Sequence, residues 1–152
     1  MVGEASFVHA TALVIGETGL LIRGVSGAGK SALALALLAL AEERFYFARL
    51  IGDDRIHVET YGNRVILRPH VAIAGQIERR GRGILTLPFL DAAVARCVVS
   101  IEDHALSRLP DRLEEETILA GIPLPLLRLE PGLPPHERAA GLWSDFRRMG
   151  FL

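Results

Sequence analysis

Cysteine is almost missing from this 152-residue chain. Cys97 stands alone, which excludes an intrachain disulfide and any zinc site built on cysteines. Aromatic residues make up only 6%, so the core has to come from Leu, Ala, Val and Ile. No charge of one sign dominates: 17 basic residues face 18 acidic ones, for a formal net charge of -1. A generic nucleic-acid binder would carry a basic excess, so no nucleic-acid partner is expected. Long hydrophobic runs are absent too. The apolar stretch from Leu33 to Ala41 falls well short of the roughly 20 residues that span a bilayer, and no apolar signal core follows a basic start. These features predict a cytoplasmic globular protein without a membrane segment, one domain over 1–152 with a single sizeable core. Lysine is the most telling scarcity. All but one of the 17 basic residues are arginine, and the exception is Lys30. An ammonium is a compact point charge that a planar guanidinium does not replace, so the place of Lys30 separates chemical need from codon bias.

The periodicity then lays out the elements. His9 to Ile15 and Leu20 to Arg23 are β-rich runs around Gly16-Glu17-Thr18-Gly19, the pattern of a hairpin with His9 on its first strand. Ser31 to Glu43 holds strong helix formers with no internal Gly or Pro, apolar nearly all round, which predicts a mostly buried helix. Leu50-Ile51 predicts a short strand ending at Gly52-Asp53-Asp54, and Ile56 to Thr60 and Arg64 to Leu67 a second hairpin. Gly75 to Gly83 is a polar, arginine-rich stretch before the apolar Ile84 to Leu87. A short helix is expected over Asp91 to Ala95 and a buried strand over Arg96 to Ile101. A further helix is expected to start in the acidic Leu109 to Glu116 and end at Gly121. Leu124 to Leu129 predicts a strand, Pro131 to Pro135 a turn-rich linker, and His136 to Met149 an amphipathic helix.

Gly24-Val25-Ser26-Gly27-Ala28-Gly29-Lys30-Ser31 matches the phosphate-loop (Walker A) pattern G-x-x-x-x-G-K-[ST]. The glycines let several backbone N–H groups face one anion, and the helix that follows adds the positive end of its dipole. Lys30 suits the β- and γ-phosphates of ATP, and the Ser31 hydroxyl suits magnesium. A carboxylate at a strand end in such proteins faces the nucleotide and its metal, which singles out Asp53 ahead of Asp54. If it does not hold the metal, Asp53 is placed to act as a general base. Glu78, between glycines and Arg79, Arg80 and Arg82, reads either as a charged surface turn or as part of a site for a polyanion or a phosphorylated side chain. His9 reads as a hydrogen-bonded structural residue. His57, His70, His104 and His136 show no metal spacing, and Cys97 reads as core.

Taken in order, these motifs resemble the catalytic domain of the bacterial HPr kinase/phosphorylase family. The resemblance rests on His9 standing before the phosphate loop, on Leu50-Ile51-Gly52-Asp53-Asp54, and on Glu78-Arg79-Arg80-Gly81-Arg82-Gly83-Ile84. Leu106-Ser107-Arg108-Leu109 and Leu126-Leu127-Arg128-Leu129-Glu130-Pro131-Gly132 extend it. It implies an α/β, phosphoenolpyruvate-carboxykinase-like P-loop fold with a mixed β-sheet and a carboxy-terminal helix. It implies a protein serine kinase using ATP and Mg2+, with an HPr-type phosphocarrier of the phosphotransferase system as partner and a hexameric assembly. Asp53 would be the base, Lys30 and His9 groups near the phosphates, Ser31 and Glu78 the magnesium ligands, and Arg108 a catalytic arginine. The chain looks like a short version without the family's amino-terminal domain. Arg79 and Arg82 stand where the family's signature is apolar. Leu129-Glu130-Pro131-Gly132-Leu133 lacks the Arg-Asn that ends the family's later loop, which predicts weak phosphorylase activity. The rival readings are a P-loop small-molecule kinase and an ATP-sensing regulator without transfer.

Overall fold

A computed structural model describes residues 2–106 and 115–152; Arg108 and most of the acidic stretch after it lie outside them. The elements begin with β1 (Val2–Val8), β2 (Thr11–Ile15), β3 (Thr18–Gly24), α1 (Lys30–Glu43) and β4 (Ala48–Gly52). They continue with β5 (Ile56–Tyr61), β6 (Arg64–Pro69), β7 (Gln76–Arg79), β8 (Gly83–Thr86) and β9 (Ala93–Ile101). The chain closes with β10 (Glu116–Leu119), β11 (Ile122–Leu129) and α2 (Pro135–Arg148).

The main sheet runs β1-β5-β6-β9-β3-β2-β4, with β11 joined to β9 and β10 to β11. It is mixed. β9 starts antiparallel to β6 at Ala93–Leu67 and Val94–Ile66, then runs parallel to β3 on one edge and to β11 on the other. The central strands are buried on both faces, which explains the near-continuous apolar runs Leu20-Leu21-Ile22 and Cys97-Val98-Val99. Leu13, Ile15, Leu20 and Ile22 point to the helices, and Ala12, Val14 and Leu21 point the other way, onto Ile56, Val58 and Val65. Each such aliphatic side chain contributes about 1.5–3 kcal/mol when fully buried. The small hairpin β7–β8 stands apart as a two-stranded sheet and places Ile77 in the helix-side core.

Helix α1 buries Leu33, Ala34, Leu37 and Ala41, one stripe of a helix whose other side is partly open. It ends in a Schellman turn, with the Phe45 N–H on the Glu42 carbonyl and the Tyr46 N–H on Ala41. Phe45 takes the left-handed position normally held by glycine, at φ 63°. Helix α2 opens on Pro135 and buries Arg138, Ala139, Leu142, Trp143 and Phe146 against α1 and the sheet.

Four expectations fail. His9 lies in the bend between β1 and β2 rather than on a strand, and Val2–Val8 forms a strand of its own. Asp91 to Ala95 is not helical, because Ala93 already pairs with Leu67 in the sheet. The helix expected to end at Gly121 is strand over Glu116–Leu119. Ala120 and Gly121, both at positive φ, turn it back onto Ile122, the two-residue geometry of a hairpin. Gly75 to Leu87 is the β7–β8 hairpin rather than a loop and a separate apolar stretch.

Candidate active site

Strand β3 delivers Gly24 against Ile101 so tightly that a Cβ there would sit 3.0 Å from the Ile101 carbonyl oxygen. From that anchor the loop turns out to solvent at Val25, Ser26 and Gly27 and returns through Ala28 and Gly29. Gly27 and Gly29 have φ of 81° and 100°, which L side chains rarely adopt. Gly29 caps α1 without a side chain, so no side-chain cap occupies the first-turn N–H groups, and an anion can. Lys30 is buried, and its Nζ donates to the carbonyls of Gly24 at 2.9 Å and Val25 at 3.1 Å. Burial lowers its pKa, while the charges of Asp53 and Asp54 work to raise it. The ammonium is therefore held inside the curl of the loop, where phosphate oxygens would replace the carbonyls.

Asp53 emerges from the end of β4 beside that helix start. It is buried, and three donors converge on its carboxylate. Thr11 Oγ donates to Oδ1 at 2.6 Å, Ser31 Oγ lies 2.8 Å from Oδ1 and 3.0 Å from Oδ2, and the Glu78 N–H reaches Oδ2 at 3.2 Å. Four separate elements, β2, α1, β4 and β7, thus meet on one carboxylate. Asp54 points elsewhere: it is exposed, at φ 70°, with its Oδ1 3.0 Å from His9 Nδ1. The structure therefore brings together Lys30, Ser31, Asp53 and the main chain of Glu78, while His9 pairs with the exposed Asp54 instead. The Glu78 side chain is exposed on the β7–β8 hairpin.

Serine hydroxyl and carboxylate oxygens are hard donors of the kind magnesium takes, one or two protein ligands at a time with phosphate and water completing the shell. Ser31, with the Asp53 carboxylate beside it, fits that role. Among the described residues no group of three His, Cys, Asp or Glu side chains is arranged to hold a metal by itself. Cys97 is buried, and burial pushes its thiol up to about 12, too high for a nucleophile.

Two participants are not evident in the sequence alone. Thr11 is a polar residue in an otherwise apolar strand, and that contrast was the available signal. Arg138, on α2, is buried with its Nη1 on the Ala28 carbonyl at 3.1 Å and Nη2 on the Glu130 carbonyl at 3.0 Å. Nothing local marked it.

Comparison with known proteins gives the lineage. The profile of the HPr Serine kinase C-terminal domain matches residues 2–117. An HPr kinase/phosphorylase from Treponema pallidum (strain Nichols) is 31% identical over 161 residues, covering 95% of this chain and 49% of that protein. One from Streptococcus equinus is 29% identical over 137 residues, covering 83% of this chain and 42% of that protein. The chain spans about half the length of the curated relatives it matches. The solved structure of the Hpr(Ser) kinase/phosphatase from Coxiella burnetii superposes with a TM-score of 0.76, covering 95% of this chain and 99% of that one; at 24% identity this likeness speaks for the fold. With residues 2–117 of its 152 under that one profile, the chain belongs to the HPr serine kinase C-terminal domain family.

Proposed function

We propose that the chain is an ATP-dependent protein serine kinase whose acceptor is an HPr-type phosphocarrier of the phosphotransferase system. The observation that carries this reading is the placement of Asp53, a buried carboxylate 2.8 Å from the Ser31 hydroxyl at the start of the phosphate-loop helix. Thr11 and the Glu78 N–H fix its orientation from two sides. The Ser31 hydroxyl occupies the edge shared by both carboxylate oxygens; were it to turn away from Asp53, that edge would be free to accept a proton. Asp53 then takes the proton of the acceptor serine, the serine oxygen bonds to the γ-phosphorus, and the bond to the β-phosphate oxygen breaks as ADP leaves. Lys30 and the loop N–H groups hold the phosphates in line. Ser31 and Glu78 would hold magnesium, which would supply neutralisation of the phosphate charge. Arg108 is proposed as a further cation at the transferring group.

The same reading has the protein working in the cytoplasm, as a hexamer, with weak phosphorylase activity because Leu129 to Leu133 lacks the loop's Arg-Asn. No helix among the described residues is long and apolar enough to cross a membrane. The test incubates the protein with labelled ATP, magnesium and purified HPr-type carriers. Label on the carrier supports the reading. ATP binding with no transfer to any carrier makes the protein a nucleotide sensor, and transfer to a small molecule instead makes it a different kinase.

A further inference from the structure

Arg138 is a buried guanidinium with an unusual set of partners. Its two terminal nitrogens reach main-chain carbonyls on different segments, Ala28 in the phosphate loop and Glu130 at the end of β11. Its Nε has no hydrogen-bond partner. Among the described residues no carboxylate lies within ion-pair distance of it, although Arg68 and Arg128 each hold acidic partners. Burial alone lowers its pKa. A Cβ on Gly29 would stand 3.1 Å from its Nη1, so the guanidinium lies directly against the turn that opens α1. It also borders a cleft of about 280 Å³ between the loop and Pro131–Gly132.

A buried cation with no counter-charge among the described residues costs stability. The arrangement is explained if the counter-charge arrives with the ligand. We infer that Arg138 is a positioning residue that ties nucleotide binding at the phosphate loop to the docking of α2 and the Glu130–Gly132 segment. An anion in the loop offsets the buried charge. The two carbonyl bonds transmit the loop's position to the carboxy-terminal helix. Coupling of this kind is reciprocal: helix docking strengthens nucleotide binding as much as the nucleotide strengthens docking.

This rests on the nucleotide binding proposed above, and the test separates the two. ADP affinity and ADP-induced thermal stabilisation are measured for the wild-type protein, Arg138→Met and Arg138→Lys, together with amide hydrogen exchange over residues 138–146. Absence of ADP binding by the wild type refutes the phosphate-loop reading itself. If the wild type binds, Arg138→Met is expected to lose affinity by about 5–150-fold, the range of such couplings. It should also lose the ADP-dependent protection of α2, with Arg138→Lys intermediate. An Arg138→Met protein that melts lower without ligand but keeps wild-type ADP affinity and ADP-dependent protection would make the residue merely structural and overturn the inference. Should Arg138→Met fail to fold, Arg138→Lys decides alone: wild-type affinity and protection in it overturn the inference, and a weakening of both supports it.

Discussion

Replacing Asp53 with asparagine changes almost no volume, and if Asp53 is the proposed base it separates catalysis from binding. In the native site Oδ1 accepts from Thr11 and Ser31, and Oδ2 from Ser31 and the Glu78 N–H, at 2.6–3.2 Å. An amide oxygen in the Oδ1 position serves the first pair. The NH2 group then faces the Glu78 N–H, donor against donor, and one buried interaction is lost. Leaving one buried partner unsatisfied costs about 1–3 kcal/mol. At roughly 2–4 °C per kcal/mol for a domain of this size, the melting temperature should fall by about 2–12 °C. Turnover should fall far more. Removing a general base costs about 10²–10⁴-fold, roughly 3–5 kcal/mol of barrier at 1.36 kcal/mol per decade. ATP binding should persist, since Lys30 and the loop N–H groups are untouched. Calorimetric titration with ATP, thermal melting and steady-state transfer to carrier measure the three quantities separately. ATP affinity falling in step with turnover would refute the reasoning and make Asp53 a metal ligand or a structural residue. Asp54→Asn should show the smaller defect, because Asp54 is exposed and its carboxylate pairs with His9; the reverse order would overturn the choice between the two aspartates.

Lys30→Arg should abolish most transfer at unchanged charge, because a planar fork does not fit the curl that holds Nζ between two carbonyls; near-normal turnover would make the loop inessential. Arg79, Arg80 and Arg82 are exposed around the turn of β7–β8, with no carboxylate within ion-pair distance among the described residues, and this hairpin abuts Asp53 through the Glu78 N–H. The double substitution Arg79→Gln with Arg82→Gln should raise the KM for carrier and flatten its salt dependence while leaving the KM for ATP unchanged. A raised KM for ATP alone would assign these arginines to the nucleotide. Phe45→Gly should raise the melting temperature, since Phe45 is 96% exposed and held at φ 63°. A left-handed non-glycine residue costs about 1–2 kcal/mol, and a melting curve that does not move, or moves down, would contradict the strain.

The parts of the site that follow one another along the chain were legible in it. The phosphate loop, helix α1 and the strand that ends at Asp53 each carry their own local pattern, and the solitary Lys30 falls at the start of α1 with its Nζ on the loop carbonyls. What depends on distant pairing was not legible. Thr11 reaches Asp53 because β2 pairs with β4 across a register shift at Ala12–Leu13, and no spacing rule encodes that. Arg138 lies 110 residues from the Ala28 carbonyl it holds. Strand β10 is not the expected helix: the acidic residues leading into it fit a helix start, but the turn at Ala120-Gly121 folds Glu116–Leu119 back onto Ile122 as a hairpin, and its four residues carry no alternation of polar and apolar types that would mark a strand. The mixed sheet was legible only through the family resemblance, since parallel pairing of β9 with both β3 and β11 leaves no signal in any single strand.

The most direct test is where the phosphate goes. A carrier incubated with this protein, ATP and magnesium is digested, and its phosphorylated residue is mapped by mass spectrometry. The account predicts one phosphate on a single serine with the wild-type protein, and almost none with Asp53→Asn at equal ATP occupancy. Phosphate on a histidine, on the kinase itself or released free in solution, or an undiminished yield from Asp53→Asn, would contradict it.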